Sequence, residues 1–341
     1  MIKFFRKIRQ NLLTENKFSK YLLYAIGEVL LVVIGILLAL NINNRNELNI
    51  NDTKITNILK EIQQNLVSDV ERSKYIFDQF IQVDSIQDLI LNDKYTYDDY
   101  KSGNAYLLGM NYIDFVINNY GYDNLMRNID DVPEKYQPIL KDLKNLYVTK
   151  KTNIDVYNTR IRETVYKNID DGLNQHSWIL ESSRGVITDE GINYYLNNQQ
   201  YKNRVGKYIN DRYNTFEDSQ RYRFKAIETY LKIKELIQNV DSIPKSLALE
   251  SADTNYLNTI VGSYKIKNSL GVYWPENVKI SKENNKILFK DKNIEQELLY
   301  HKKFIFFMKE YGTYAQFNKS KKGELFVSNN YGGNATYIKV E

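Results

Sequence analysis

Residues 21–40, YLLYAIGEVLLVVIGILLAL, leave this chain little physical choice. Twenty residues at 1.5 Å rise make a helix about 30 Å long, the hydrocarbon thickness of a bilayer. Glu28 is the one charged residue in the run. A single membrane-spanning helix is therefore expected, with twenty residues before it and about 300 after it. A cleaved signal peptide is the competing reading. It would have a shorter apolar region and a small-x-small cleavage site, whereas Ala39 has no small partner at Asn41.

Charge supports the anchor. Lys3, Arg6, Lys7, Arg9, Lys17 and Lys20 precede the span against one acid, Glu15, and the remaining 41 basic and 41 acidic residues cancel. The net charge of +5 thus sits beside the span, as the positive-inside pattern requires, and argues for a cytoplasmic N-terminus with the bulk on the periplasmic side of a bacterial inner membrane. A nucleic-acid-binding domain would carry its own basic surplus, so nucleic acid is not an expected partner. In residues 1–20, Phe4, Phe5, Ile8, Leu12 and Leu13 recur at helical spacing among the basic residues. Either this segment lies on anionic membrane lipid or its charge only sets topology.

With no cysteine and two histidines, His176 and His301, the chain is poor in the ligands for zinc, iron–sulfur or thiol chemistry, and no metal or cofactor is expected. A large exported domain without disulfides must rely on its own core, which about 300 residues can build.

After the span, Ile55, Ile58, Leu59, Ile62, Leu66, Val70, Ile76, Phe77 and Phe80 fall close to a 3.6-residue period, and no Pro or Gly interrupts 41–91. The membrane helix is expected to continue as one rod. Second and third helical patterns cover Ile139–Ile169 and Tyr201–Ile237, so three long helices should pack as an antiparallel bundle over 41–244. Residues 92–131 contain Gly103, Gly109 and Gly121 and predict shorter helices joined by turns. A linker is expected at 245–258. From 259 to 341 the period falls to two, in VGSYKI, KILFK, KFIFFM and GELFVS, which predicts a small antiparallel β-barrel or sandwich. The expected fold class is α+β.

The segment KFSKYLLYAIGEVLLVVIGILLALNINNRNE, residues 17–47, with MIKFFRKIRQNLL before it, resembles the N-terminal signature of a family of uncharacterised single-pass inner-membrane proteins of Gram-negative, Bacteroidota-type bacteria. YDNLMRN at Tyr122–Asn128 resembles a further motif of that family, but Arg127-Asn128 stand where small residues are usual. The resemblance implies an inner-membrane anchor with a helical periplasmic part and no known activity. Val261-Gly262-Ser263-Tyr264 and Phe304–Met308 resemble parts of a small lipocalin-like barrel domain.

Glu28 is the sharpest candidate for function, because an ionisable residue inside a span is costly unless neutralised, solvated or paired. Gly35 and Ala39 form a small-xxx-small pair, and Gly27, eight residues before Gly35, is placed on nearly the same face. These four residues predict a helix-association face for a second copy or another membrane protein. The acid pairs Asp98-Asp99, Asp130-Asp131 and Asp170-Asp171 are expected to cap helices rather than catalyse. His176 is expected to pack at a helix end, and His301 to lie at the surface beside Lys302 and Lys303. The aromatic residues Tyr264, Tyr273, Trp274, Phe289, Phe304, Phe306, Phe307 and Phe317 either fill the β-domain or line a pocket.

No catalytic motif is present. The leading expectation is a non-enzymatic scaffold or docking module whose helical stalk presents the β-domain to a partner or envelope component. The alternatives are a ligand-binding sensor signalling through a partner membrane protein, and a hydrolase of envelope polymers.

Overall fold

The computed structural model describes residues 18–103, 105–249, 252–270, 274–284, 286–302, 304–311, 313–318, 321–328 and 334–340. Lys3, Arg6, Lys7, Arg9 and Lys17 lie outside the described residues, and Lys20 is described only as helical backbone.

The unbroken rod expected from the sequence is present. Helix α1 (Phe18–Leu91) is 74 residues long, about 110 Å at 1.5 Å per residue. It stops where Asp93 turns into the left-handed region (φ 58°) and the Lys94 amide closes on the Leu89 carbonyl at 2.8 Å. Its first part contains the one stretch, among the described residues, long and apolar enough to cross a membrane; its mean hydropathy is 2.5 and none of it is buried.

Tertiary packing starts at Ile55. From there Ile55, Leu59, Ile62, Leu66 and Val70 are fully buried. They face Tyr222, Ala226 and Ile233 of helix α8 (Gln199–Leu236) and Ile139 and Leu143 of helix α4 (Gln137–Lys144). Each such side chain contributes roughly 1.5–3 kcal/mol by leaving water. The Ser73 hydroxyl donates to the Ser219 carbonyl at 2.8 Å and the Gln63 amide to the Tyr230 carbonyl at 3.2 Å, so α1 and α8 run antiparallel. One π-turn, Asn145–Lys150, joins α4 to helix α5 (Lys151–Gln175), which packs along α8. Shorter helices fill the gaps: α2 (Tyr97–Lys101), α3 (Tyr120–Arg127), α6 (Trp178–Ser182) and α7 (Asp189–Asn197).

Gly103 and Gly109 occupy turns at φ 85° and 84°, as a broken segment requires. Gly121 behaves differently: it lies inside α3, pressed onto α1. A Cβ there would stand 2.8 Å from Ile62 Cγ1 and 3.0 Å from the Ile62 backbone nitrogen. The Gly121 amide also donates to Asn65 Oδ1 at 3.0 Å. Gly121→Ala is expected to cost about 1–3 kcal/mol through overpacking. A thermal melt with an unchanged midpoint would show that α3 has room to retreat.

The C-terminal unit is a closed eight-stranded antiparallel barrel with neighbouring strands paired in sequence order. Its strands are β1 (Gly262–Leu270), β2 (Asn277–Glu283), β3 (Lys286–Lys290), β4 (Glu295–Lys302), β5 (Ile305–Met308), β6 (Tyr314–Phe317), β7 (Glu324–Ser328) and β8 (Asn334–Lys339). Pairing of β8 with β1 leaves no open edge. Tyr264, Phe289, Phe306 and Phe317 lie inside with Ile280, Leu325, Val327 and Tyr337 and fill it, as eight strands allow. Tyr273 lies outside the described residues. The segment expected to be a linker is anchored at both ends: Leu247 sits in the bundle core, and helix α9 (Thr254–Ile260) lays Leu257 and Ile260 against the barrel core.

The barrel is docked on the rod. All four residues of β5, IFFM, are buried, because the strand faces two cores. Phe306 and Met308 point into the barrel, while Ile305 and Phe307 point out and meet Phe77 and Phe80 of α1 and Phe216 and Phe224 of α8. Phe80 stacks on Phe216 at 4.2 Å, and Phe77 meets Phe307 edge-on at 5.0 Å. His301, expected at the surface, is only 5% exposed and stands edge-on to Phe77 at 4.3 Å. Strand alternation turns it outward from the barrel, but outward here is the buried joint. Around this cluster, Thr313 Oγ1 donates to Glu217 Oε1 (2.8 Å), Arg221 Nε to the Tyr311 carbonyl (2.6 Å), and Lys309 pairs with Glu228 (2.7 Å).

Candidate functional site

Two features stand apart from ordinary core packing: the exposed N-terminal part of α1, and a cleft high in the bundle.

Along α1, Glu28, Val32, Gly35, Ala39, Ile42, Asn46 and Asn49 follow one another in alternating steps of four and three residues. A left-handed helix pair would use residues at that spacing as its seam. At about 100° per residue it lies roughly 150° around the helix from Ile55, Leu59 and Ile62, so a partner on the seam would not meet the bundle. Val32, Ile42, Asn46 and Asn49 share this line, which a search for small residues misses, although the heptad spacing carries them. Gly27 is not one of them. Eight residues carry a helix about 80° past two full turns, which moves Gly27 off the line through Gly35 and Ala39.

The cleft is a cavity of about 270 Å³. Ile76, Gln79, Phe80 and Val83 of α1 form one wall, Ile161 of α5 another, and the segment 106–113 crosses over it. Helix α8 supplies Tyr208, Arg212 and Phe216 at four-residue spacing, hence on one face. The Arg212 Nη2 donates to the Gln79 carbonyl at 2.5 Å and the guanidinium carbon stands 5.9 Å from the rings of both Phe80 and Tyr208. Leu107 on the crossing segment has φ 67°, a strained conformation for a side chain of that size. Phe80 and Phe216 serve both the cleft and the joint with the barrel. The stripe Tyr208–Arg212–Phe216 is legible in the sequence, but its meeting with Phe80 and Leu107 is not.

The remaining candidates are engaged in structure. Asp99 accepts from the Thr96 amide at 2.8 Å in a capping box, Asp131 pairs with Lys54 at 2.8 Å, and Asp171 with Arg204 at 3.3 Å. The three acid pairs are thus anchored by different partners in different parts of the bundle. His176 caps α5, its ring 5.3 Å from Trp178 and 4.2 Å from Tyr194. Burial, with help from the Arg204 charge, lowers its pKa and so favours the neutral ring. Among the described residues no group of three or more His, Asp or Glu side chains is placed to hold a metal ion.

Among the buried carboxyls of the described residues, Asp69 and Glu217 have their pKa raised by burial. Asp69 accepts from the Tyr222 hydroxyl at 2.6 Å and the Asn118 amide at 3.0 Å, and burial raises its pKa to about 6. Glu217, at the joint with the barrel, is raised to about 7 by burial, against the opposing charge of Arg221. Both tie separate segments together rather than opening onto the cleft.

Compared with known proteins, the chain matches no family model, no curated protein and no solved structure. Its reading therefore rests on its own geometry.

Proposed function

We propose that this chain is a non-enzymatic, single-pass inner-membrane protein with a cytoplasmic N-terminus. It acts as a scaffold or docking module in the periplasm and self-associates through its span. The observation that carries this reading is the continuity of α1, which joins the exposed apolar stretch to the bundle core without a break. A rigid rod of that kind fixes the height of the docked barrel above the bilayer. Phe77, where the barrel meets α1, is 37 residues beyond Leu40, about 55 Å along the helix.

The seam supplies the self-association. Gly35 and Ala39 let two backbones approach, and Asn46 at a seam position favours a two-stranded pair in fixed register. Because the chain has no cysteine, single replacements report directly on proximity. Asn46→Cys in native membranes is expected to form a disulfide-linked dimer under mild oxidation, and Asn44→Cys, about 160° away around the helix, is not. Equal crosslinking at both positions, or none at either, would remove the seam. A periplasm-active reporter fused after Glu341 tests the orientation independently, since silence would reverse it.

The cleft beside Arg212 favours a second reading, a ligand-binding sensor that signals through a partner membrane protein.

A further inference from the structure

We propose that one end of the barrel docks onto an anionic phospholipid surface other than the bilayer its own helix enters. Charge is segregated along the chain: residues 262–341 hold 14 lysines and 8 acids, whereas residues 41–261 hold 27 basic and 32 acidic residues. Strand pairing in sequence order puts the β2–β3, β4–β5 and β6–β7 turns at one end of the barrel, together with the close of β8. Lys282, Lys286, Lys321, Lys322 and Lys339 stand at that end. The acids there, among the described residues, are Glu283, taken up by Lys290 at 2.8 Å, and Glu324, buried and bridged to Lys267 at 3.0 Å. At the opposite end Glu276, Asp291, Glu295 and Glu310 outnumber Lys290, Lys292 and Lys309. Lys282, Lys321 and Lys322 are exposed and pair with no acid among the described residues.

The same end carries exposed apolar side chains. Phe304, at the β4–β5 turn, is 45% exposed, and Val340, just past β8, is 58% exposed. Phe304 takes φ 71°, and Tyr256 of α9 braces its ring at 4.8 Å, so the ring is held at the rim of a barrel already filled by other side chains. Lysines around a projecting aromatic suit a lipid interface: the charges gather on anionic headgroups while the ring enters the acyl boundary. A peptide partner would use a free strand edge, and the closed barrel offers none. The joint at Phe77 stands about 55 Å beyond Leu40, whereas the nine residues of β1 extend about 30 Å. That difference keeps the basic end off the bilayer that holds the rod. The inference rests on the scaffold reading and names its envelope component as lipid.

The test holds the full chain by its span in phosphatidylcholine nanodiscs and mixes it with vesicles. The vesicles contain about 30% phosphatidylglycerol or phosphatidylcholine alone. Flotation is expected to show at least tenfold tighter binding to the anionic vesicles, and salt at about 0.5 M should remove most of that preference. Reversing two charges together, Lys321→Glu with Lys322→Glu, should weaken binding to anionic vesicles at least tenfold, and Phe304→Ala at least threefold. Lys292→Glu, at the opposite end, should change it less than twofold. Thermal melts confirm that each variant folds; if the double variant does not, Lys282→Glu takes its place and should weaken binding at least threefold. Equal binding to neutral vesicles, or none to anionic ones, would overturn the proposal. So would a loss from Lys292→Glu as large as that from the double reversal. Discs that cluster without vesicles, and separate when Lys321 and Lys322 are reversed, would assign these lysines to a second copy and overturn it too. The Asn46→Cys crosslink is indifferent to all of these results, so the two readings fail separately.

Discussion

Phe216→Ala is expected to destabilise the protein by about 3–5 kcal/mol, the range for truncating a fully buried aromatic residue. Phe216 is 0% exposed. It stacks on Phe80 and lies within 5.7–6.2 Å of Phe77, Phe307 and Tyr314, measured between ring centroids. Its loss leaves a void where α1, α8 and the barrel meet, and a packed interior closes such a void only in part. Denaturant unfolding of the full chain measures the cost. Limited proteolysis reports its location, since cleavage within 245–258 should accelerate as the barrel comes away from the rod. Phe304→Ala is the control: that side chain is 45% exposed at the β4–β5 turn and should cost less than about 1 kcal/mol. Similar costs for the two replacements would mean that the barrel is not fixed to the bundle.

The second large effect is a pH dependence centred on Glu217. Burial lifts its pKa from the ordinary 4.5 to about 7. The folded state therefore holds a proton that the unfolded state releases, and stability is greatest below the unfolded pKa and falls as pH rises through the folded one. A shift of that size corresponds to roughly 3 kcal/mol between pH 4.5 and pH 8. Asp69, raised to about 6, acts in the same direction over a lower window. His176, with its lowered pKa, acts oppositely, since its unfolded form takes up a proton first. Comparing a variant with the parent isolates the one group. Glu217→Gln retains an acceptor for Thr313 and cannot ionise, so its stability relative to the parent should rise by roughly 3 kcal/mol from pH 5 to pH 8.5. A difference that stays flat with pH would show that Glu217 is ionised throughout, with Arg221 outweighing burial.

Fold and site were legible in the sequence to different degrees. The rod was legible because helical periodicity and the lack of Pro or Gly from 41 to 91 are local properties. The barrel was legible because period-two alternation is also local, although its closure is not. Gly121 shows where local reasoning stops: the same residue that marks a turn also permits close helix packing, and only the position of Ile62 distinguishes the two. His301 shows it again. Its alternation correctly turns it away from the barrel interior, but what lies outside the barrel depends on residues more than 200 positions earlier. The continuous apolar run IFFM was the available signal, since a strand with one wet face would have alternated.

By itself the sequence determined the quantities that accumulate along a chain: one apolar stretch of bilayer length, a basic excess on one side of it, helices of given period, and strands of given alternation. The tertiary structure alone decided what meets what. It seated the barrel on Phe77, Phe80 and Phe216, buried Glu217 and His301 at that joint, and brought Arg212 to a cleft built from four separate segments. The physical reason is that hydropathy and backbone preference act between near neighbours, whereas cavities, joints and shifted carboxyls arise from contacts between segments far apart in sequence.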